Sequence, residues 1–166
     1  TQLVERGQQL EVSQNFNGLG LQLFDMRAAK FASPPETTVD YAFAQPVKLV
    51  GYYMNTAHVP VGTSFSIGLY FTADGSIQGN YQVFTHLVDS EGSIVAQRDH
   101  IAGADSYPTS LWQTGSLILN RFTIDLPANA QPGKYVLQVG LYDSSGRLKL
   151  IEGSDHIDLV QLQVDK

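Results

Sequence analysis

The chain has no cysteine, one tryptophan, two methionines and only 16% charged residues in 166 positions, and each shortage removes a class of protein. Without cysteine there are no disulfides, thiol nucleophiles, thiolate metal sites or iron–sulfur clusters. The compartment stays open, because exported bacterial proteins also do without cysteine. Soluble domains usually carry about 25% charged residues, so Ser, Thr, Gln, Asn and Gly must cover much of this surface, a composition that suits an exported, β-rich protein. Lys and Arg number ten and are scattered, and the formal net charge is −6. Phosphate binding needs a basic stripe, so a nucleic-acid partner is not expected. No hydrophobic run approaches the roughly 20 residues of a membrane helix. The sequence opens at Thr1 without methionine, which leads us to expect a mature or excised piece whose signal peptide, anchor or membrane domain would lie outside it.

What is present is alternation. In residues 64–71, SFSIGLYF, Phe65, Ile67, Leu69 and Phe71 share one face while Ser64, Ser66 and Gly68 share the other, the pattern of a half-buried strand. Ile118, Phe122, Ile124 and Leu126 repeat it, as do Tyr135, Leu137, Val139 and Leu141, and Val160, Leu162 and Val164. Further strands are expected over 20–28, 47–55, 81–89, 93–99 and 147–151. The best helical stretch, DMRAAKFA at 25–32, falls short of the roughly 12 residues a helix needs. Many short strands without helices predict an all-β fold, a two-sheet antiparallel β-sandwich, immunoglobulin-like or jelly-roll, with Greek-key connections. One domain over 1–166 is expected, with 1–35 as a less patterned N-terminal edge segment set off by Pro34 and Pro35.

The separators are turn chemistry: ADGS at 73–76, DSEGS at 89–93, QPGK at 131–134 and DSSGR at 143–147. Asp opens such a turn by accepting backbone N–H bonds, and Gly closes it where φ must become positive. All four read as hairpin loops. Two belong to a short internal recurrence, in which HLVDSEGSIVAQ at 86–97 aligns with GLYDSSGRLKLI at 140–151. Shared turn physics explains so brief a match better than duplication.

Several of these residues carry a resemblance. The run Val83 to Asp89, then Gln97-Arg98-Asp99, Tyr107-Pro108-Thr109-Ser110 with Trp112, Leu126-Pro127, Pro132 to Tyr135 and Gly140 to Asp143 resembles a β-sandwich module of bacterial envelope proteins. It is similar to the extracytoplasmic C-terminal region of some dolichyl-phosphate-mannose-type membrane glycosyltransferases. The resemblance covers residues 81–150, fits the stretch upstream more loosely and does not reach the first forty. It implies an accessory module without a reaction of its own, catalysis in those proteins being associated with their membrane part.

Candidate chemistry is sparse. His86 alternates with Phe84 and Val88, and Asp99 lies on the next expected strand. A tight hairpin pairing 88 with 94 would set 86 near 96 and leave Asp99 further along, so an acid–base or metal dyad needs another neighbour or a return of the chain. The alternative is a buried histidine whose hydrogen bonds fix a loop. No Ser or Cys nucleophile motif accompanies it. His58, His86, His100 and His156 lack zinc spacings, and Asp99 with Asp105, or Asp155 with Asp158, match a calcium loop only in part. Neither a metal nor a cofactor is expected. Of five glutamates, Glu91 and Glu152 sit in turns and none is placed as a tuned glycosidase acid. Trp112 and Tyr107 stand on a Ser/Thr/Gly/Pro-rich loop that must cross between sheets. Trp112 is either a plug closing the core, its indole N–H bonded to backbone or water, or a platform for a sugar ring, for which Tyr52, Tyr53, Tyr70, Tyr81 and Tyr142 offer further candidates.

The expected ligand-binding set is therefore Trp112, Tyr107, His86 and Asp99, with no catalytic residue. The function expected is a non-catalytic, exported accessory or interaction module of the bacterial cell envelope, periplasmic or on the cell surface. Its partner would be a glycan or another envelope protein. A carbohydrate-binding module stacking sugars on loop aromatics is the alternative, and a hydrolase built on His86 and Asp99 the weaker one.

Overall fold

The computed structural model describes the backbone of residues 8–12 and 22–25 and the full residues 35–103 and 107–166. Two compact units divide the chain between Pro34 and Pro35. In the first, β1 (Gln8–Val12) and β2 (Gln22–Asp25) pair antiparallel with each other. The expected 20–28 strand is thus partly seen as β2, and the helical stretch at 25–32 falls mostly outside the described residues.

The second unit is a β-sandwich, as the alternation predicts, and no α-helix occurs among the described residues. One sheet has the order β3 (Thr37–Ala42), β4 (Val47–Met54), β6 (Ser64–Ala73), β9 (Leu117–Asp125). The other runs β5 (His58–Pro60), β12 (Ile157–Asp165), β10 (Gly133–Asp143), β7 (Gln82–Val88), β8 (Ile94–Ile101), with the short β11 (Gly146–Leu148) on β10. Consecutive strands change sheet repeatedly, so the core is closed by non-local pairings. One pair, β12 with β5, is parallel, a departure from the all-antiparallel expectation.

The inward faces are those the alternation marks. Phe65, Ile67, Leu69 and Phe71 meet Leu137, Val139, Leu141 and Leu162 across the layers, all essentially without solvent contact. Each such side chain contributes about 1.5–3 kcal/mol by leaving water. Near the end of the chain the alternation fails once. A bulge at Leu159, where Leu137 pairs with Val160 but Gln138 with Asp158, buries Ile157 and Leu159 and leaves Val160 only partly buried, so that of the expected Val160, Leu162 and Val164 series the last two are fully in the core.

Two of the four turns are hairpins. Asp89 Oδ1 accepts from the backbone N–H of Glu91 and Ser93, both at 2.9 Å, between β7 and β8. Asp143 Oδ1 accepts from Ser145 N–H at 2.8 Å between β10 and β11. These are the two copies of the internal recurrence, and β7 and β10 are neighbours in one sheet. The other two turns, at 73–76 and 131–134, connect strands of different sheets and are not hairpins. Strand β3 lies where the sequence is least patterned, because an edge strand with polar Thr37 and Thr38 outward needs little apolar alternation.

Candidate functional site

The four sequence-nominated residues fall into two places on opposite sides of a sheet. Trp112 is on the crossover from β8 to β9, behind a short 3-10 turn, Thr109–Leu111. Its ring is 4% exposed and tilts against Phe71, centroids 6.2 Å apart. The indole Nε1–H donates to the Tyr107 carbonyl at 2.9 Å, and Thr109 binds the loop by donating to the Gly79 carbonyl and accepting from Tyr81 N–H. This is the plug geometry. The platform is corrected: a ring enclosed between the sheets has no free face for a sugar. Tyr107 serves the plug through its carbonyl, and its hydroxyl accepts from Gln113 N–H at 3.3 Å. Gly103 lets the loop close. Its φ is +84°, and a Cβ there would stand 2.2 Å from the Tyr107 carbonyl oxygen.

His86 and Asp99 lie on the outward face of the other sheet, and here the register expectation is also corrected. Val88 does pair with Ile94, but Val95 is an extra residue in β8, so Leu87 pairs with Ala96, His86 with Gln97 and Phe84 with Asp99. Without that bulge Asp99 would oppose Val83 and point toward the core, because a one-residue slip exchanges the faces of a strand. With it, Asp99 becomes the diagonal neighbour of His86 on the outer face.

Around this pair is a cleft of about 330 Å³ lined by Phe84, His86, Gln97, Asp99, Tyr142, Gly146 and Arg147. Its floor is Phe84, which lies across Gly140 on β10. The Arg147 guanidinium covers the ring, 4.5 Å from its centroid, and reaches Asp155 Oδ1 at 3.5 Å. The Tyr142 hydroxyl stands between two acceptors, Gln82 Oε1 at 3.2 Å and Asp99 Oδ2 at 3.3 Å. Burial and the Asp99 charge both raise its pKa, keeping it a donor. Behind the cleft, His156 Nδ1–H donates to Asp155 at 2.7 Å. That bond, helped by Arg147, holds the Asp155 carboxyl below its ordinary value.

His86 is 8% exposed, and among the described residues neither ring nitrogen has a hydrogen-bond partner. Nε2 comes to 3.8 Å from Asp99 Oδ1, beyond hydrogen-bond reach. The imidazole is thus buried as expected but fixes no loop by hydrogen bonds. Burial pushes its pKa below the ordinary value, Arg147 and His156 push the same way, and Asp99 opposes them. It is neutral at neutral pH. A histidine whose folded-state pKa is lowered contributes stability above its unfolded value, about 6.5, and that contribution is lost as pH falls through this value toward the folded one. The melting temperature is therefore expected to drop on acidification below about pH 6.5, and the drop to shrink in His86→Gln. Melts of both proteins across this range check it; equal slopes would show that His86 does not drive the acid limb.

Asp155 and Asp158 flank the two nitrogens of His156, Asp105 lies outside the described residues, and no group of three His, Asp or Glu among the described residues could hold a metal. Of the tyrosines the sequence offers for sugar stacking, Tyr142 lines the cleft; the residues missed by sequence reasoning are Phe84, Gln97 and Arg147. Tyr142 and Arg147 face each other across the turn of the second hairpin of the recurrence, a signal that is legible but points to a turn, not to a wall of a cleft.

No protein-family model matches the sequence, and no curated protein matches it. Among solved structures the chain is similar to the C-terminal domain of Wzt, with a TM-score of 0.51 at 12% identity over 80% of this chain and 83% of that one. It is also similar to the Pseudomonas fluorescens alkylpurine DNA glycosylase AlkC bound to abasic-site DNA, at 0.48 and 13%, over 74% of this chain and 31% of that one. A Niemann-Pick type C2 protein from Japanese carpenter ant gives 0.42 and 7%, over 81% and 98%. Likeness to the Wzt domain at this identity shows a shared fold, the two-layer β-sandwich.

Proposed function

We propose that this chain is a non-catalytic binding module and that its ligand is a carbohydrate held in the cleft on the outer face of β7, β8 and β10. The observation that carries the reading is His86, a nine-tenths-buried imidazole without a hydrogen bond at the wall of an open cleft. Buried polar groups are nearly always paired; the sealed Nδ1 is not, and Nε2, the nitrogen beside Asp99, is the one a partner in the cleft would meet. The groups around it suit a polyhydroxylated one. Asp99 accepts, Tyr142 and Gln97 donate and accept, and the Tyr142 ring offers an apolar face at the side of a 330 Å³ space, the mixture of one aromatic wall and a few convergent polar groups that fixes small ligands.

The lining favours binding over turnover. It contains no Ser, Thr, Cys or Lys nucleophile and one carboxylate, Asp99, whereas glycoside hydrolysis works with two facing carboxyl groups. His86 and Asp99 stand too far apart for a hydrogen-bonded dyad. The occurrence of this sandwich as the C-terminal domain of Wzt supports an appended, accessory role. The resemblance of residues 81–150 to the outer region of membrane glycosyltransferases, together with the low charge content, supports an exported location at the cell envelope. A net charge of −6 speaks against nucleic acid as the partner.

Screening the full chain against a panel of oligosaccharides tests this. A sugar that binds is expected to move the His86 ring resonances and to lose about tenfold in affinity in Tyr142→Ala, the scale of one good hydrogen bond with its apolar contact. Absence of binding across the panel, or binding indifferent to both His86→Ala and Tyr142→Ala, would end the reading.

A further inference from the structure

The cleft already holds a cation of its own. Arg147 places its guanidinium 4.5 Å above Phe84, and its charge is matched by Asp155 at 3.5 Å. An aromatic face attracts positive charge through its quadrupole, and the ring is kept flat for this by Gly140, where a Cβ would stand 2.4 Å from Phe84 Cζ. Asp99, across the cleft, is in a different position. Among the described residues no Lys or Arg nitrogen comes within 4 Å of it. Its neighbours are the Tyr142 hydroxyl and the neutral His86. A carboxylate 30% exposed, lining the cleft beside Tyr142 with no Lys or Arg partner, is open to a cation from outside.

We propose that the cleft prefers a sugar bearing a free, protonated amino group, with Asp99 as its counter-ion and the Tyr142 side of the cleft as the surface on which the ring C–H groups rest. The inference rests on the carbohydrate reading above and deepens it. An N-acetylated or unsubstituted sugar offers Asp99 hydrogen bonds but no charge. An acidic sugar meets Asp99 as a like charge while the balancing cation, Arg147, is already paired with Asp155. The order of preference is therefore amino, then neutral or N-acetylated, then acidic.

Calorimetric titration of the full chain in low salt, slightly below neutral pH, tests it with four oligomers of equal length: glucosamine, N-acetylglucosamine, glucose and galacturonic acid. A tetralysine peptide separates a cationic sugar from a bare cation. The glucosamine oligomer is expected to bind about tenfold more tightly than its N-acetylated form, the scale of a charge-assisted hydrogen bond, with the acidic oligomer weakest. That advantage should shrink as salt is raised. In Asp99→Asn the amino and N-acetylated forms should converge in affinity; Asp99→Ser repeats the test if the first variant folds poorly, and the salt dependence of the unmodified protein stands without either. Equal affinity for the amino and N-acetylated oligomers, an advantage insensitive to salt or surviving both variants, or tetralysine binding as well as the amino sugar would each overturn the preference while leaving carbohydrate binding intact. Failure of all four sugars to bind would instead remove the carbohydrate reading, and this inference with it.

Discussion

Replacing Trp112 by alanine is expected to cost the fold about 3–5 kcal/mol, the range for deleting a large buried aromatic, and the shift should be visible in the urea midpoint with an unchanged slope. The side chain is enclosed against Phe71 at the end of the core, and its N–H is bonded to the Tyr107 carbonyl. Its removal opens a cavity and leaves that carbonyl without its partner. The loop cannot readily collapse into the space, because Thr109 ties it to Gly79 and Tyr81. Trp112→Phe should recover much of the loss, since it restores apolar volume and forfeits the hydrogen bond. Circular dichroism must be the probe, as the fluorophore is gone. A Trp112→Ala protein as stable as the parent would show that the crossover is not sealed by this ring.

The second large effect is expected at Gly140, beneath the cleft. A methyl group there would stand 2.4 Å and 2.5 Å from two carbons of the Phe84 ring and 3.2 Å from the Asp155 carbonyl oxygen. Phe84 is 1% exposed and carries Arg147 on its other face, so the ring cannot yield without unseating the guanidinium. Gly140→Ala should therefore destabilise the domain by about 1–3 kcal/mol, as overpacking does, and abolish nuclear Overhauser contacts between Phe84 and Arg147. Retention of those contacts at unchanged stability would mean that the ring and glycine are not locked together. The opposite sheet uses the same device, Tyr53 lying over Gly68, where a Cβ would be 2.0 Å from Tyr53 Cε1. In both places a glycine directly across the ladder makes room for an aromatic ring on an outward face.

Of the fold, the strands with the cleanest alternation were legible because the preference that buries Phe65, Ile67, Leu69 and Phe71 is local and repeats every second residue. The Asp89 and Asp143 turns were legible for the same reason: side-chain acceptor, turn and glycine lie within five residues. The cleft was legible only in part. His86 and Asp99 could be nominated by residue type, yet their distance depends on one extra residue in β8, Val95. Phe84 shares the His86 face in the sequence, and nothing local says that this face turns outward beneath an arginine.

The amino-acid sequence by itself determined that the chain is all-β, which faces of its clearest strands turn inward, and where two hairpins close, because period-two burial and turn chemistry act over a few residues. The tertiary structure decided that Trp112 is sealed inside, that the sandwich starts at Pro35, and that Phe84, His86, Asp99, Tyr142 and Arg147 meet around one cleft. Those outcomes follow from bulges, from the order of strands in a sheet and from a glycine facing a ring, all set by pairings between distant parts of the chain.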